Sequence, residues 1–337
     1  MKKNYKVGII GCGSIFPRHK EAIDENDNFE LVAICDIQKG LVESLSKKLK
    51  VKGYVDYQEM ITQSGCDLVV VASPNSLHYE QSIFSLKNKC DVLIEKPVTF
   101  DEKYIKKISD CAKENNQKAY CVLQVRLNPT VEILRKTLNQ NLLGTIRGVS
   151  LIQRWQRPLE YFSGWRAEPS IGGGTLYEVG IHYLDILQSL FGTPEVVASK
   201  VYTVKHKASE IEDTIYSILD FGDYGGTCEI NISSEPHNLE CSISILGSNG
   251  YVKLGGKALN IIESYNFLSN GSTKKFESIL EDIPNSINPN SYGSYLGSCP
   301  NHPTLYSKIE EFELEESYNS IKLINDIYKK ADIKYGE

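Results

Sequence analysis

The chain has 337 residues, 41% of them hydrophobic and 24% charged, with a formal net charge of -6. That length accommodates two domains with separate cores. The acidic balance excludes a nucleic-acid binder working through a basic face, and no apolar run approaches the roughly 18 residues of a membrane span. A lysine-bearing start followed by a short, glycine-broken run makes a poor signal peptide. The nine cysteines are scattered without a Cys-x-x-Cys pair. They read as reduced thiols of a cytoplasmic protein, and with no zinc-ligand spacing no metal is expected.

Residues 5–10 form a β-rich run that meets Gly11-Cys12-Gly13-Ser14-Ile15-Phe16, followed by a helical pattern over 18–24. A strand, a Gly-x-Gly turn and a helix start form the arrangement that receives a dinucleotide. The first glycine permits the tight turn, the second lets the backbone approach a pyrophosphate, and the helix start offers free N–H groups. Phe16 stands where a third glycine is usual. The run 29–35 ends in Asp36, about 20 residues after the glycines, where a carboxylate bonds both ribose hydroxyls and repels a 2′-phosphate. This favours NAD over NADP; the plainer reading of Asp36 is a cap for the next helix.

The alternation continues with a helix over 39–49, a strand at 54, a helix over 57–63 and a strand over 66–72 that stops at Ser73-Pro74-Asn75. A helix over 77–87 carries His78 in its first turn; a strand over 91–94, a helix over 101–115 capped by Thr99 or Asp101, and a strand over 119–125 follow. Such regular β-α alternation implies an α/β domain with a doubly wound parallel sheet, residues 1–123. Strand 91–94 runs into Glu95-Lys96-Pro97. A lysine at the end of a core strand is costly unless paired or used, and open parallel sheets bind ligands at those strand ends.

From 124 to 337 the pattern changes to a second, α+β domain for substrate binding and oligomerisation. A helix over 130–139 precedes a long strand over 145–155 and strands near 195–206, 213–221, 226–233, 241–247 and 250–254. They suggest one large, open, mostly antiparallel sheet. A sheet without covering helices finds a second sheet, so a homodimer or homotetramer through it is expected. Residues 256–295 are polar and read as a long loop with one or two edge strands that closes over the site; helices over 305–312 and 314–333 finish the chain.

Two stretches of this half carry chemistry. Gly172-Gly173-Gly174 leads into a helix with Glu178 and His182 four residues apart, hence on one face. Histidine is suited to take a hydroxyl proton near neutral pH, with Glu178 orienting it or binding a substrate hydroxyl. Before it, residues 154–166 hold both tryptophans and the arginines Arg154, Arg157 and Arg166. Aromatic faces stack on a base or sugar, and arginine clamps a pyrophosphate; the plainer reading is that the aromatics plug the domain interface.

Gly11-x-Gly13, Ser73-Pro74-Asn75-x-x-His78, Glu95-Lys96-Pro97 and Gly172-Gly173-Gly174-x-x-x-Glu178-x-Gly180-x-His182-x-x-Asp185, in this order, resemble the glucose–fructose oxidoreductase/inositol dehydrogenase/MocA (Gfo/Idh/MocA) superfamily of NAD(P)-dependent sugar oxidoreductases. The resemblance implies that Lys96 lies by the nicotinamide and bonds the reacting hydroxyl, that His182 is the acid/base, and that Glu95 fixes Lys96 or the cofactor. It implies a cofactor groove of Gly11, Gly13, Ser14, Ile15, Asp36, Ser73, Pro74, Asn75, His78, Glu95, Lys96, Pro97 and Gln124, with a cis Lys96–Pro97 bond. The position of Glu178 is commonly Asp in the family, which leaves its role open. Residues 154–166 and Asn301-His302-Pro303-Thr304-Leu305-Tyr306 resemble segments of bacterial UDP-N-acetylglucosamine(uronate) 3-dehydrogenases. The implied substrate contacts are Lys96, Arg126, Arg154, Arg157, Tyr161, Trp165, Glu178, His182 and His302. The implied activity is NAD-dependent oxidation of a ring hydroxyl, at C3, of a UDP-N-acetyl amino sugar or its uronate in surface-polysaccharide synthesis. A dehydrogenase of a free polyol or hexose of the inositol type, and a non-catalytic NAD(P)-binding sensor, stand as alternatives.

Overall fold

The computed structural model describes residues 4–282 and 301–332. Its first half is a six-stranded parallel sheet of β1 (Tyr5–Ile10), β2 (Phe29–Cys35), β3 (Lys52–Tyr54), β4 (Leu68–Val71), β5 (Asp91–Ile94) and β6 (Ala119–Cys121). The spatial order is β3-β2-β1-β4-β5-β6. Every residue of β4 and β5 is buried, as central strands covered on both faces must be. The cover includes α1 (Phe16–Asp24), α2 (Lys39–Leu49), α3 (Tyr57–Gln63), α4 (His78–Lys87) and α5 (Glu102–Asn115). Asp101 caps α5, accepting from the Lys103 N–H at 2.9 Å. The strand order reverses between β1 and β4, the switch point at which such sheets open a ligand crevice.

Strand β6 is shorter than the run 119–125 suggests. After Cys121 the chain turns into a 3-10 segment, Gln124–Leu127, and the Gln124 carbonyl accepts from Asn301 instead of from a strand.

The second half contains α6 (Pro129–Asn139), β7 (Ile146–Arg154), the short α7 (Pro169–Gly172), α8 (Ile181–Phe191), β8 (Glu195–Tyr202), β9 (Thr214–Asp220), β10 (Gly225–Asn231), β11 (Glu240–Gly247), β12 (Gly250–Gly255), β13 (Ile261–Phe267) and α9 (Asn270–Asp282). Seven strands form one sheet, β13-β12-β11-β7-β10-β9-β8. All neighbours are antiparallel except β7 and β10. Strand β9 shows the reason for its two faces: Ile215, Ser217 and Leu219 are buried, whereas Tyr216 and Ile218 point outward, 45% and 54% exposed.

The stretch 256–295 contains the expected edge strand but departs from expectation in also forming a helix. It holds edge strand β13 and helix α9, which packs on α6 and β13 through Phe276, a ring set against Tyr265 and Phe267. Only Phe276 and Ile279 of α9 are buried, too thin an apolar stripe to announce a helix. Its residues 283–295 lie outside the described ones.

The C-terminal α10 (His302–Ser307) and α11 (Tyr318–Lys330) return to the first domain, α10 against α1 and α11 against α5 as well as α8 and β8. Arg126 ties three segments together. Its Nε and Nη2 donate to the two oxygens of Asp185, each at 2.7 Å, and its Nη1 donates to Glu316 at 2.7 Å. Among the described residues no helix is long and apolar enough to cross a membrane. The eight described cysteines are buried free thiols; Cys299 lies outside the described residues.

Candidate active site

The turn after β1 uses its two glycines differently. Gly11 has φ +97°, and a Cβ there would lie 2.3 Å from the Ala72 carbonyl oxygen, so the approach of the chain leaving β4 requires it. A Cβ on Gly13 would meet nothing within 4 Å, because that position faces an open cleft. Helix α1 starts without a side-chain cap, and Phe16, in place of the third glycine, is buried in the core. Asp36 accepts from the Cys12 and Gln38 N–H groups, both at 2.9 Å, which fixes its carboxylate at the end of β2.

A cleft of about 520 Å³ runs past these groups. Gly11, Gly13, Ser14, Ile15, Asp36, Ser73, Pro74, Asn75, His78, Glu95 and Lys96 line it from the first domain; Tyr161, Trp165, Arg166 and Glu178 line it from the second. The glycine open to the cleft, the uncapped helix start for phosphates and the fixed carboxylate for a ribose fit a dinucleotide. His78 sits between two turns, its ring nitrogens 2.8 Å from the Pro97 carbonyl and 2.9 Å from that of Ser73. Burial pushes its pKa down, so the neutral ring donates to one carbonyl at a time. Pro97 follows a cis bond, as expected. Gln124 does not belong to this lining: it is buried, with Oε1 lacking a partner among the described residues.

Lys96 emerges from the end of β5, and its Nζ donates to the Glu178 carbonyl at 2.8 Å. Glu95 turns inward. Its Oε1 lies 3.1 Å from His19 Nε2 and 3.6 Å from His302 Nε2, while Oε2 accepts from the Lys96 N–H at 3.1 Å. Burial opposes ionisation of this carboxyl, but the two imidazoles outweigh it and hold the group well below the usual range. Tyr306 completes the cluster through His19 Nδ1 at 2.9 Å. His302 therefore stands behind Lys96, buried, and not at the cleft; this corrects its reading as a substrate contact. His19, Glu95 and His302 bring ligand-type atoms within 4.8 Å of one another. They come from α1, the end of β5 and α10, so no local spacing reveals the group.

Gly173 and Gly174 adopt φ +85° and +98°, and a Cβ on Gly173 would lie 2.3 Å from the Phe100 ring. The chain then makes one π-helical turn, Leu176–Gly180, before α8 begins. A π turn is wider than an α turn, so the i, i+4 argument that set Glu178 and His182 on one face fails. Glu178 does not orient His182. Its carboxylate accepts from Asn75 Nδ2 at 2.6 Å and from Arg166 Nε at 3.1 Å, and its carbonyl holds Lys96. His182 is half-buried, with Nδ1 enclosed and without a partner among the described residues. Burial and then the charge of Lys96 push its pKa down to about 3. It is the neutral, proton-accepting form near pH 7, well below the neutral range the sequence suggests.

Residues 155–166 build a ladder in which aromatic rings and guanidinium groups alternate. Arg157 lies 4.7 Å from the Trp155 ring centre and 5.5 Å from that of Tyr161; Arg166 lies 5.7 Å from Tyr161 and 4.4 Å from Trp165. Trp155, Arg157 and Tyr161 are buried, so the inner end fills the domain, and Trp165 with Arg166 forms the rim of the cleft. Two expected substrate arginines are thus engaged elsewhere. Arg154 pairs with Glu229 and Glu240 on neighbouring strands, and Arg126 with Asp185 and Glu316. The arginine that reaches the cleft is Arg166, adjacent in sequence to the one tryptophan at the rim.

Two family models match this chain: the oxidoreductase family with an NAD-binding Rossmann fold over residues 5–123, and the GFO/IDH/MocA C-terminal domain over residues 131–253. Glucose-6-phosphate 3-dehydrogenase of Bacillus subtilis is 27% identical over 294 residues, covering 84% of this chain and 83% of the relative. The scyllo-inositol 2-dehydrogenase (NADP(+)) IolW of the same species is 27% identical and covers 95% and 91%. Among solved structures, the WlbA dehydrogenase from Bordetella pertussis in complex with NADH and UDP-GlcNAcA superposes with a TM-score of 0.86 at 27% identity, over 98% of this chain and 96% of that one. The chain belongs to the Gfo/Idh/MocA oxidoreductases, with an NAD-binding Rossmann domain and the family's C-terminal domain.

Proposed function

We propose that this enzyme oxidises a ring hydroxyl of a nucleotide sugar, a UDP-N-acetyl amino sugar or its uronate, with C3 as the reacting carbon and surface polysaccharide as the destination of the product. The observation that carries the reading is the bond from Lys96 Nζ across the domain boundary to the Glu178 carbonyl. It holds an ammonium at the cleft, within electrostatic reach of His182. The bound dinucleotide supplies the hydride acceptor. Lys96 donates to the carbinol oxygen and stabilises its anionic form, and His182 accepts the hydroxyl proton. Because burial makes His182 a weak base, the acidity that Lys96 lends the hydroxyl matters for the transfer. The Asp36 carboxylate favours NAD over NADP.

Similarity to the WlbA structure supports the nucleotide-sugar class, and the names of two curated relatives, glucose-6-phosphate 3-dehydrogenase and D-glucoside 3-dehydrogenase, support C3. The inositol dehydrogenases among the relatives favour a free polyol as the second reading. The test is NADH formation from UDP-GlcNAcA and UDP-GlcNAc beside myo-inositol and free hexoses. Higher kcat/KM on a free polyol reverses the order, and no turnover on any of them returns the chain to a non-catalytic binding role. The outward apolar side chains Tyr216, Ile218, Leu246 and Tyr251 make the open sheet the self-association face of a homodimer or homotetramer. Ile218→Asp is expected to lower the mass seen by light scattering, and an unchanged mass rejects this face.

A further inference from the structure

The rim of the cleft contains an ion pair whose placement is suited to exchange. Arg166 is stacked near two ring faces, Tyr161 and Trp165. A guanidinium stacked in this way hydrogen-bonds through its planar edge, the shape that matches a carboxylate or phosphate. In this structure that edge meets a carboxylate of the protein itself, Glu178, through Nε at 3.1 Å. Glu178 is also held by Asn75 at 2.6 Å, so its carboxylate keeps a donor when Arg166 turns to another anion. The same residue's carbonyl receives Lys96. An arginine, its counter-ion and the lysine proposed to meet the carbinol therefore occupy one short stretch of cleft wall.

A neutral sugar lying beside Lys96 leaves the Arg166–Glu178 pair intact and gains no charge interaction. A sugar bearing an anionic group meets a buried carboxylate, and Arg166 is the cation at hand to offset it. Arg157, the other guanidinium of the ladder, is buried at the inner end, with its Nη1 donating to the Gln156 carbonyl at 2.7 Å. Of the two guanidiniums, Arg166 lines the cleft and Arg157 does not.

We propose that Arg166 is the receptor for an anionic substituent of the sugar substrate, a carboxylate or a phosphate, and that Glu178 is its resting counter-ion, displaced when the substrate binds. This rests on the sugar-dehydrogenase reading and adds to it the residue that reads substrate charge.

The experiment measures calorimetric binding to the NADH-loaded enzyme, and kcat/KM with NAD, for glucose, glucuronate, glucose 6-phosphate, UDP-GlcNAc and UDP-GlcNAcA. Arg166→Gln is expected to weaken binding and kcat/KM by roughly 10- to 100-fold for the sugars whose anion Arg166 reads, and by less than about threefold for glucose. Loss on glucuronate and UDP-GlcNAcA assigns a carboxylate; loss on glucose 6-phosphate or UDP-GlcNAc assigns a phosphate. Arg166→Lys restores part of the loss, since lysine keeps the charge without the planar edge. Glu178→Gln removes the competing carboxylate and tightens binding of the same anionic sugars. Equal loss across all five sugars, or no loss on any anionic one, overturns the proposal. Arg166-dependent binding without NADH formation overturns the dehydrogenase reading and leaves the receptor standing; turnover indifferent to Arg166 does the reverse.

Discussion

The two walls of the cleft are built on different principles. The Rossmann wall comes from short contiguous segments at the ends of adjacent parallel strands, Gly11 to Ile15, Ser73 to His78 and Glu95 with Lys96. Each turn is positioned by the strand before it and the helix after it, so a motif of a few residues is a complete structural statement. The opposite wall is Tyr161, Trp165, Arg166 and Glu178, drawn from irregular and 3-10 segments and one π turn. There, neighbours in sequence are sent to different fates, and only the packed structure says which arginine faces the substrate.

The strongest break between the walls is chemical. Lys96→Ala in the Rossmann wall and His182→Ala on α8 of the second domain are each expected to lower kcat by roughly 10²- to 10⁴-fold while NAD affinity, measured by fluorescence titration, stays within a few-fold. Lost NAD binding in either variant would make the residue a cofactor holder. Next comes the joint behind the walls. Arg126→Ala leaves Asp185, whose side chain is 2% exposed, without its bidentate partner. A loss of about 3–5 kcal/mol in unfolding free energy is expected, with KM for the sugar little changed; a large rise in KM at unaltered stability would return Arg126 to the substrate.

Within the Rossmann wall, the two glycines sharpen the contrast between folding and binding. Gly11→Ala should cost roughly 1–3 kcal/mol from its backbone conformation alone, and more from the clash with Ala72, seen as a lower Tm without ligand. Gly13→Ala should leave that Tm unchanged and weaken NAD by about tenfold, or about 1.4 kcal/mol. Equal Tm losses would contradict the open space around Gly13.

The smallest effect is on pH. A free histidine would place the acid limb of kcat/KM near 6.5. With His182 pushed down to about 3, no such limb from this group is expected between pH 5 and 8. For stability, His78, His182 and His302 all have folded pKa values below the unfolded one. The unfolded chain then binds more protons below about pH 6.5, and stability falls as pH drops from there toward the folded values. A Tm that holds steady from pH 7 to 4.5 would contradict this.

Most of the fold was legible, because β-α alternation and period-2 strands are local patterns. The turns that line the Rossmann wall of the cleft were legible for the same reason. Helix α9 escaped because its apolar stripe is two residues wide. Of the two roles open to Glu178, orienting His182 failed because a π turn has no sequence signature as strong as a glycine turn. Arg126 and Arg154 looked like free cations because their acids, Asp185, Glu316, Glu229 and Glu240, lie far away in sequence. His19 went unnoticed, and Tyr306 stood only within the 301–306 segment, for the same reason: His19 bonds Glu95 and Tyr306 bonds His19 across long stretches of sequence.

That cluster has a consequence for how the enzyme comes into being. Glu95 follows an early strand, but His302 and Tyr306, on its inner side, are supplied by α10, far later in the chain. A nascent chain with its Rossmann sheet already formed still lacks the backing of the Lys96 turn. The backing of the lysine turn is thereby tied to synthesis past residue 306, and a chain released before residue 302 would carry the Rossmann motifs without it.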